Sequence, residues 1–240
     1  MNKINILGIK IDSPKFKEAV AKIDGFINSG KKHQIVTVNP EFILTAQKDE
    51  KFKKILNQAS LSVPDGTGLE YAAKAQGQNF PERITGVDLT WALAKLSEDR
   101  GYKIYLLGAG PGVALQVENR MRLIHPRINI VGAYDGSPDE KGLIDRINYT
   151  NPDILFVAYG APKQEKFIAK NLSRLNCKVA IGVGGAFDYI SGIVDRAPLW
   201  VRKIGMEWLY RLIKQPHRFV RIYRAVIKFP ILYFLNSLKK

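Results

Sequence analysis

The sequence predicts an α/β fold: a doubly wound, largely parallel, Rossmann-like sheet followed by a C-terminal helical appendage. Short apolar runs alternate with amphipathic segments along the 240-residue chain. Several of the runs are continuous Val/Ile/Leu/Ala stretches, the pattern of strands covered on both faces. Strand–helix alternation implies right-handed crossovers. One shift in composition, near Pro198, marks off the appendage.

The first apolar run, residues 4–9, precedes Ser13-Pro14, which reads as a helix N-cap with proline at N1, opening a helix to about residue 26. Strand-like runs at 34–38 and 61–63 lead into helical segments at 40–48, 50–59 and 68–76. The long segment 87–100 reads as a helix crossing to a strand at 103–107, a helix at 112–125 and a strand at 128–133. A helix at 138–147, a strand at 153–159, a helix at 162–171 and a strand at 178–183 complete the alternation. Two domains follow: a core, residues 1–195, and an appendage, residues 196–240.

In such sheets ligands bind at the carboxyl ends of the strands, and here those ends share one character. They hold Thr37-Val38-Asn39-Pro40-Glu41, Pro64-Asp65-Gly66-Thr67-Gly68, Gly108-Ala109-Gly110-Pro111-Gly112, Tyr134-Asp135-Gly136, Gly160-Ala161-Pro162-Lys163-Gln164-Glu165 and Gly184-Gly185-Ala186-Phe187-Asp188. Loops that only reverse the chain do not need so many carboxylates, amides and glycines at one edge. Gly108, Gly110 and Gly112 open a helix where backbone N–H groups can approach a phosphate. The same spacing fits a tight turn, or an NAD or S-adenosylmethionine site with Asp135 on the ribose. Against that reading, the loop follows the fourth candidate strand, and Asp65, Thr37, Asn39 and Glu41 would be left idle. Lys163 in a first helical turn opposes the helix dipole, which suggests a bound anion or a merely exposed lysine. Asp65, in a rigid turn, suits either a helix N-cap or a general base for an alcohol nucleophile. Asp12 and Asp88 read as cap or surface residues.

Other classes are excluded or unsupported. The only cysteine, Cys177, rules out an intramolecular disulfide and reads as a buried structural thiol. No Asp-x-Asp occurs, and His33, His125 and His217 are too scattered for a metal pattern, so neither metal nor cofactor is expected. No signal peptide is visible at the N-terminus, and the longest uncharged apolar stretch of the tail, residues 229–238, is too short to span a bilayer.

The net charge is +15, of which residues 200–240 carry +9. Arg211, Lys214, Arg218, Arg221, Arg224 and Lys228 recur at helical spacing, beside an apolar face of Leu209, Leu212, Ile213, Val220, Tyr223 and Ile227, with breaks expected near Pro216 and Pro230. A basic amphipathic helix with aromatics reads as binding an anionic membrane surface. A helix packed on the core with a solvated basic face is the plainer alternative. Nucleic acid is disfavoured, because the tail is too apolar and carries no recognised binding motif.

Taken together, the motifs resemble the bacterial WecG/TagA/CpsF family of sugar transferases. Those carrying the resemblance are the Thr37–Glu41, Pro64–Gly68, Leu107–Gly110 and Gly160–Glu165 loops, Arg83-x-x-Gly86-x-Asp88, the Gly182–Gly192 segment, Arg196-Ala197-Pro198-x-Trp200, and Glu207-Trp208-Leu209-Tyr210-Arg211-Leu212 through Pro216, Arg218 and Arg221. The resemblance implies an inverting, metal-independent transfer from a UDP-sugar to an undecaprenyl-diphosphate-linked N-acetylglucosamine. It implies a cytoplasmic protein, peripheral on the inner face of the cell membrane, whose tail completes the active site; homo-oligomer formation stays open. N-acetylmannosamine is the expected sugar; N-acetylmannosaminuronic acid or another UDP-linked sugar is the alternative. In that scheme Asp65 is the base, and Thr37 and Asn39 position sugar or acceptor. Tyr134 and Asp188 hold uracil. Gln164, with Gly108, Gly110, Gly160, Lys163 and Gly185, holds the donor diphosphate. Arg211, Arg218 and Arg221 meet the acceptor diphosphate and, with Arg224, lipid head groups.

Overall fold

The computed structural model describes residues 2–237; Met1 and residues 238–240, the end of the expected appendage, lie outside them. The expected first strand is a hairpin instead. Strands β1 (Lys3–Ile6) and β2 (Ile9–Asp12) pair antiparallel around Leu7 and Gly8, whose φ angles are 50° and 83°. Two left-handed residues make the turn that matches hairpin twist. Ser13 continues this pairing by donating its N–H to the Asn2 carbonyl at 3.0 Å. Helix α1 (Phe16–Ile27) therefore starts after Lys15 rather than at Pro14.

The main sheet has six parallel strands: β3 (His33–Val38), β4 (Leu61–Pro64), β5 (Lys103–Gly108), β6 (Asn129–Tyr134), β7 (Ile154–Ala158) and β8 (Val179–Gly182). Their spatial order is β4-β3-β8-β7-β5-β6, so the expected doubly wound sheet is found. Asp12, expected as a cap or surface residue, is buried, and its Oδ2 accepts the Ser62 N–H at 2.9 Å. It thus accepts from a buried amide of the edge strand β4.

Helices α2 (Pro40–Ala46), α3 (Glu50–Gln58), α4 (Thr67–Lys74), α5 (Gly86–Arg100), α6 (Val113–Ile124), α7 (Leu143–Thr150), α8 (Lys163–Asn171) and the short α9 (Ala186–Ile190) connect the strands. Helix α7 begins five residues later than the spacing suggested, because Gly142 adopts φ 80° and Glu140 is committed to the Tyr134 hydroxyl at 2.7 Å. Alternate strand residues enter different cores. Ile104 and Leu106 pack with α1, α5, α6 and α9 on one face. Tyr105 and Leu107 pack with α7 and α8 on the other. Val36 and Val38 pack with the hairpin and α2 to α4. Cover on both faces is why the strands read as continuous apolar runs. Cys177 is buried, and burial pushes its thiol up to about 12, as befits a structural residue.

The tail is docked. It comprises α10 (Leu199–Lys203), α11 (Glu207–Lys214), a 3₁₀ turn at Pro216–Arg218, then α12 (Phe219–Tyr223), a π turn at Arg224–Lys228 and α13 (Phe229–Ser237). The break expected near Pro230 does not occur. A proline has no N–H and its ring clashes with the carbonyl four residues earlier; the wider π turn just before it makes room. Phe229 is 1% exposed, inside the core cluster formed by the hairpin, α2 and α4. The Tyr233 hydroxyl donates to the Ala72 carbonyl at 2.8 Å. Arg224 donates to the Thr45 hydroxyl at 3.4 Å. Phe229→Ala is expected to cost about 3–5 kcal/mol by leaving a cavity under α13, read as a lower Tm and faster proteolysis of the tail. The opposite face of the tail remains open. Ile213, Phe219, Val220, Ile231 and Phe234 are each more than half exposed. Among the described residues no helix is long and apolar enough to cross a membrane.

Candidate active site

One cleft of about 280 Å³ opens where the carboxyl ends of β3, β4 and β8 meet the tail. Thr37, Asn39, Asp65, Gly160, Gln164 and Gly185 line it from the core, and Arg211, Arg218 and Arg221 from the tail. Nine of the expected site residues therefore share one cavity.

Asp65 follows β4 directly. Its N–H is taken by the Val38 carbonyl at 2.7 Å, and its Oδ2 accepts the Gly86 N–H at 3.3 Å. It does not cap α4: Gly66, with φ 109°, occupies the position before that helix and supplies no side chain. Burial pushes the Asp65 carboxyl up to about 6; the Gly86 N–H and Arg83 pull it down, while Glu207 and Asp88 push it up further. A deep carboxylate with that proton affinity, open to a polar cavity, suits general base catalysis near neutral pH.

The neighbouring polar groups are partly committed to structure. Asn39 Oδ1 caps α2 by accepting the Phe42 N–H at 3.1 Å. Thr37 donates to the Gly182 carbonyl at 3.4 Å. Gln164, only 2% exposed, is more heavily used: its Oε1 accepts the N–H groups of Gly160 at 3.0 Å and Gly184 at 2.9 Å, and its amide donates to Glu165 at 2.7 Å. Gln164 thus pins two glycine loops together, and its carbonyl cannot also turn to a ligand. Glu165 beneath it is wholly buried, and burial pushes its carboxyl up to about 7 against the hydrogen bond from Gln164. Gly182 lets these two side chains pack close to β8, since a Cβ there would lie 2.5 Å from Glu165 Oε1.

The tail supplies the positive wall. Arg211 stacks over Tyr189 at 4.8 Å. Arg218 reaches Asp188 at 3.3 Å, and Arg221 grips Glu41 through two N–H groups at 3.0 and 2.8 Å. Burial lowers the Arg218 pKa, with Arg211 and Arg221 adding like-charge repulsion. The buried Nε atoms of Arg211 and Arg218 have no hydrogen-bond partner among the described residues. Crowded guanidinium groups of this kind suit a multiply charged anion.

Other expected residues lie elsewhere. Asp188 does not line the cleft and borders it through Arg218. Gly108, Gly110, Tyr134, Lys163 and Arg224 lie outside the lining. Gly108 is required by packing, because a Cβ would lie 2.8 Å from the Tyr159 ring. Tyr134 lines a different hollow with Tyr105 and Glu140, and the Arg146 guanidinium lies 4.4 Å from its ring centroid. Lys163 is exposed at the start of α8, and Arg224 staples the tail to α2. The Gly112 N–H is taken by Asp135 at 2.7 Å, which puts a carboxylate where a dinucleotide phosphate would sit. The sequence assigned no individual role to Glu41, Arg83, Arg196 or Glu207 and placed Trp208 only among the aromatics of the tail, yet all five line the cleft.

A doubly wound sheet with a partly buried carboxylate and a cationic wall at its strand ends suits an α/β enzyme with an anionic ligand. Similarity to known proteins narrows this. Residues 4–240 match the model of the Glycosyl transferase WecG/TagA/CpsF family. N-acetylglucosaminyldiphosphoundecaprenol N-acetyl-beta-D-mannosaminyltransferase of Bacillus subtilis is 36% identical over 189 residues, 78% of this chain and 74% of its own. The protein of the same name from Staphylococcus aureus strain MRSA252 is 33% identical over 215 residues, 88% of this chain and 84% of its own. The chain belongs to the WecG/TagA/CpsF family and is a glycosyltransferase.

Proposed function

We propose that this glycosyltransferase moves N-acetylmannosamine from UDP-N-acetylmannosamine to the 4-hydroxyl of undecaprenyl-diphosphate-linked N-acetylglucosamine, with inversion and without a metal. The observation that carries the reading is Asp65 sharing one cleft with Arg211, Arg218 and Arg221 from the tail. The names of the relatives above contain the same acceptor class. Asp65 takes the proton of the acceptor hydroxyl as that oxygen attacks the anomeric carbon. Carbon–oxygen bond formation on one face and departure of UDP from the other turn an α-linked donor into a β-linked product. The arginines meet diphosphate charge that a divalent cation meets elsewhere. Thr37 and Asn39 border the sugar, and Gln164 keeps the Gly160 and Gly184 loops in shape rather than gripping phosphate itself. The exposed apolar residues of the tail, flanked by its cations, rest on the anionic inner face of the cytoplasmic membrane, where the lipid-linked acceptor lies.

The test is release of UDP from UDP-N-acetylmannosamine on adding the lipid-linked acceptor, with UDP-N-acetylmannosaminuronic acid as a parallel donor. Acceptor-dependent release with the first donor is expected. Release independent of acceptor, or confined to the second donor, overturns the assignment.

A further inference from the structure

Apart from Asp65, the carboxylates lining the cleft are Glu41 and Glu207. Glu41 is held by Arg221. Glu207 is the single acid among ten cations in residues 200–240, and it stands in the first turn of α11. It forms an ion pair with Arg196, whose Nε lies 3.5 Å from Glu207 Oε1 without a hydrogen bond. The same guanidinium donates to Asp88 at 2.8 Å and to the Thr85 hydroxyl at 3.2 Å. Burial opposes the Arg196 charge, and Asp88 with Glu207 more than offsets this, so Arg196 stays firmly cationic. Thr85 caps α5 by accepting the Asp88 N–H at 3.1 Å. Gly86, the first residue of α5, gives its N–H to Asp65. One arginine thus ties the tail carboxylate to the helix end that holds the base.

We infer that Glu207 is a positioning residue for Asp65: paired with Arg196 and sharing the cleft with the base, its carboxylate keeps Asp65 ready to take a proton beside the tail's cations. The inference rests on the reading of Asp65 as general base. A second negative charge in a poorly solvated site makes a carboxylate a stronger base. The other charges facing Asp65 are Arg83, from the loop before α5, which acts oppositely, and Asp88 of α5, which acts with Glu207. Arg211, Arg218 and Arg221 complete the charged lining. They come in with the same tail and work against Glu207, so the acid offsets the cost to the base of bringing them near. Undocking the tail removes Glu207 together with the three cations, so the effect of Glu207 is isolated by substituting it in the docked protein.

The experiment is the pH profile of kcat/KM in the full-length protein. The wild-type acid limb is expected near the Asp65 value of about 6, with activity lost as pH falls through it. In Glu207→Gln the limb moves to lower pH, and activity on the plateau falls about 3- to 10-fold because a weaker base removes the proton less readily. Glu207→Asp, which keeps the charge, returns the limb toward the wild-type position. A limb unmoved in Glu207→Gln, whatever its rate, overturns the role of Glu207 and leaves Asp65 as base. A limb that persists in the residual activity of Asp65→Asn belongs to another group and overturns both. Activity at each pH is divided by the folded fraction measured at that pH by circular dichroism, so lost stability does not obscure the limb. Should Glu207→Gln be inactive at every pH, carboxyl ¹³C titration of Asp65 replaces the profile, and equal midpoints with and without Glu207 overturn the inference.

Discussion

Asp65→Asn is expected to lower turnover by about 10²–10⁴, the range for losing a positioned general base, while the affinity for the UDP-sugar barely changes. The substitution is nearly isosteric, and the amide oxygen can still accept the Gly86 N–H that the carboxylate accepts at 3.3 Å. It also removes the burial of a charge, so the fold gains or loses little. What is removed is the ability to take a proton. The sign of the pH dependence follows from the raised carboxyl: with burial pushing it to about 6, Asp65 is a competent base above that value and is progressively protonated below it. Wild-type activity should therefore fall as pH drops through about 6, and the Asn variant should lose that dependence. Steady-state kinetics across pH, with donor affinity from calorimetry, check both statements. Near-normal turnover in the variant would remove Asp65 from the chemistry.

Much of this site was legible in the sequence because strand ends in a parallel sheet share one edge. Thr37, Asn39, Asp65 and Gln164 come from loops far apart in the chain, yet each follows or caps the end of an apolar run, and the sheet order brings them together. What stayed hidden depends on partners that spacing does not encode. Gln164 looked like a ligand for phosphate, but its carbonyl meets two backbone N–H groups that exist only once the Gly160 and Gly184 loops are folded. The hairpin was read as one strand because Leu7-Gly8 is not one of the usual turn pairs, although both residues adopt positive φ. Pro230 looked like a helix break because a π turn leaves no mark in composition. Tyr134 follows its strand as well as any of the others do. Its strand, however, is the far edge of the sheet from β4, and its hydroxyl is bound to Glu140. Glu207 stood out as an isolated acid in a strongly basic segment, yet spacing alone gave it no role.

The double substitution Arg211→Ala and Arg218→Ala is expected to reduce kcat/KM for the lipid-linked acceptor by about 10²–10⁴. Each charge-assisted contact is worth about 1.5–3 kcal/mol, and each 1.4 kcal/mol is about tenfold in rate. The stability cost should be much smaller than the kinetic one. Arg218 is raised in energy by burial and by Arg211 and Arg221 beside it, so deleting two of three like charges relieves repulsion even as Asp188 loses its ion pair at 3.3 Å. The tail also keeps its other anchors, Phe229 in the core and the Tyr233 hydroxyl on Ala72. A Tm close to wild type beside a collapse in acceptor use would mean that these arginines are held in the cleft for a substrate rather than for the fold. A large fall in Tm with proportionate loss of activity would mean the reverse, and the cationic wall would then be a clasp for the tail and nothing more.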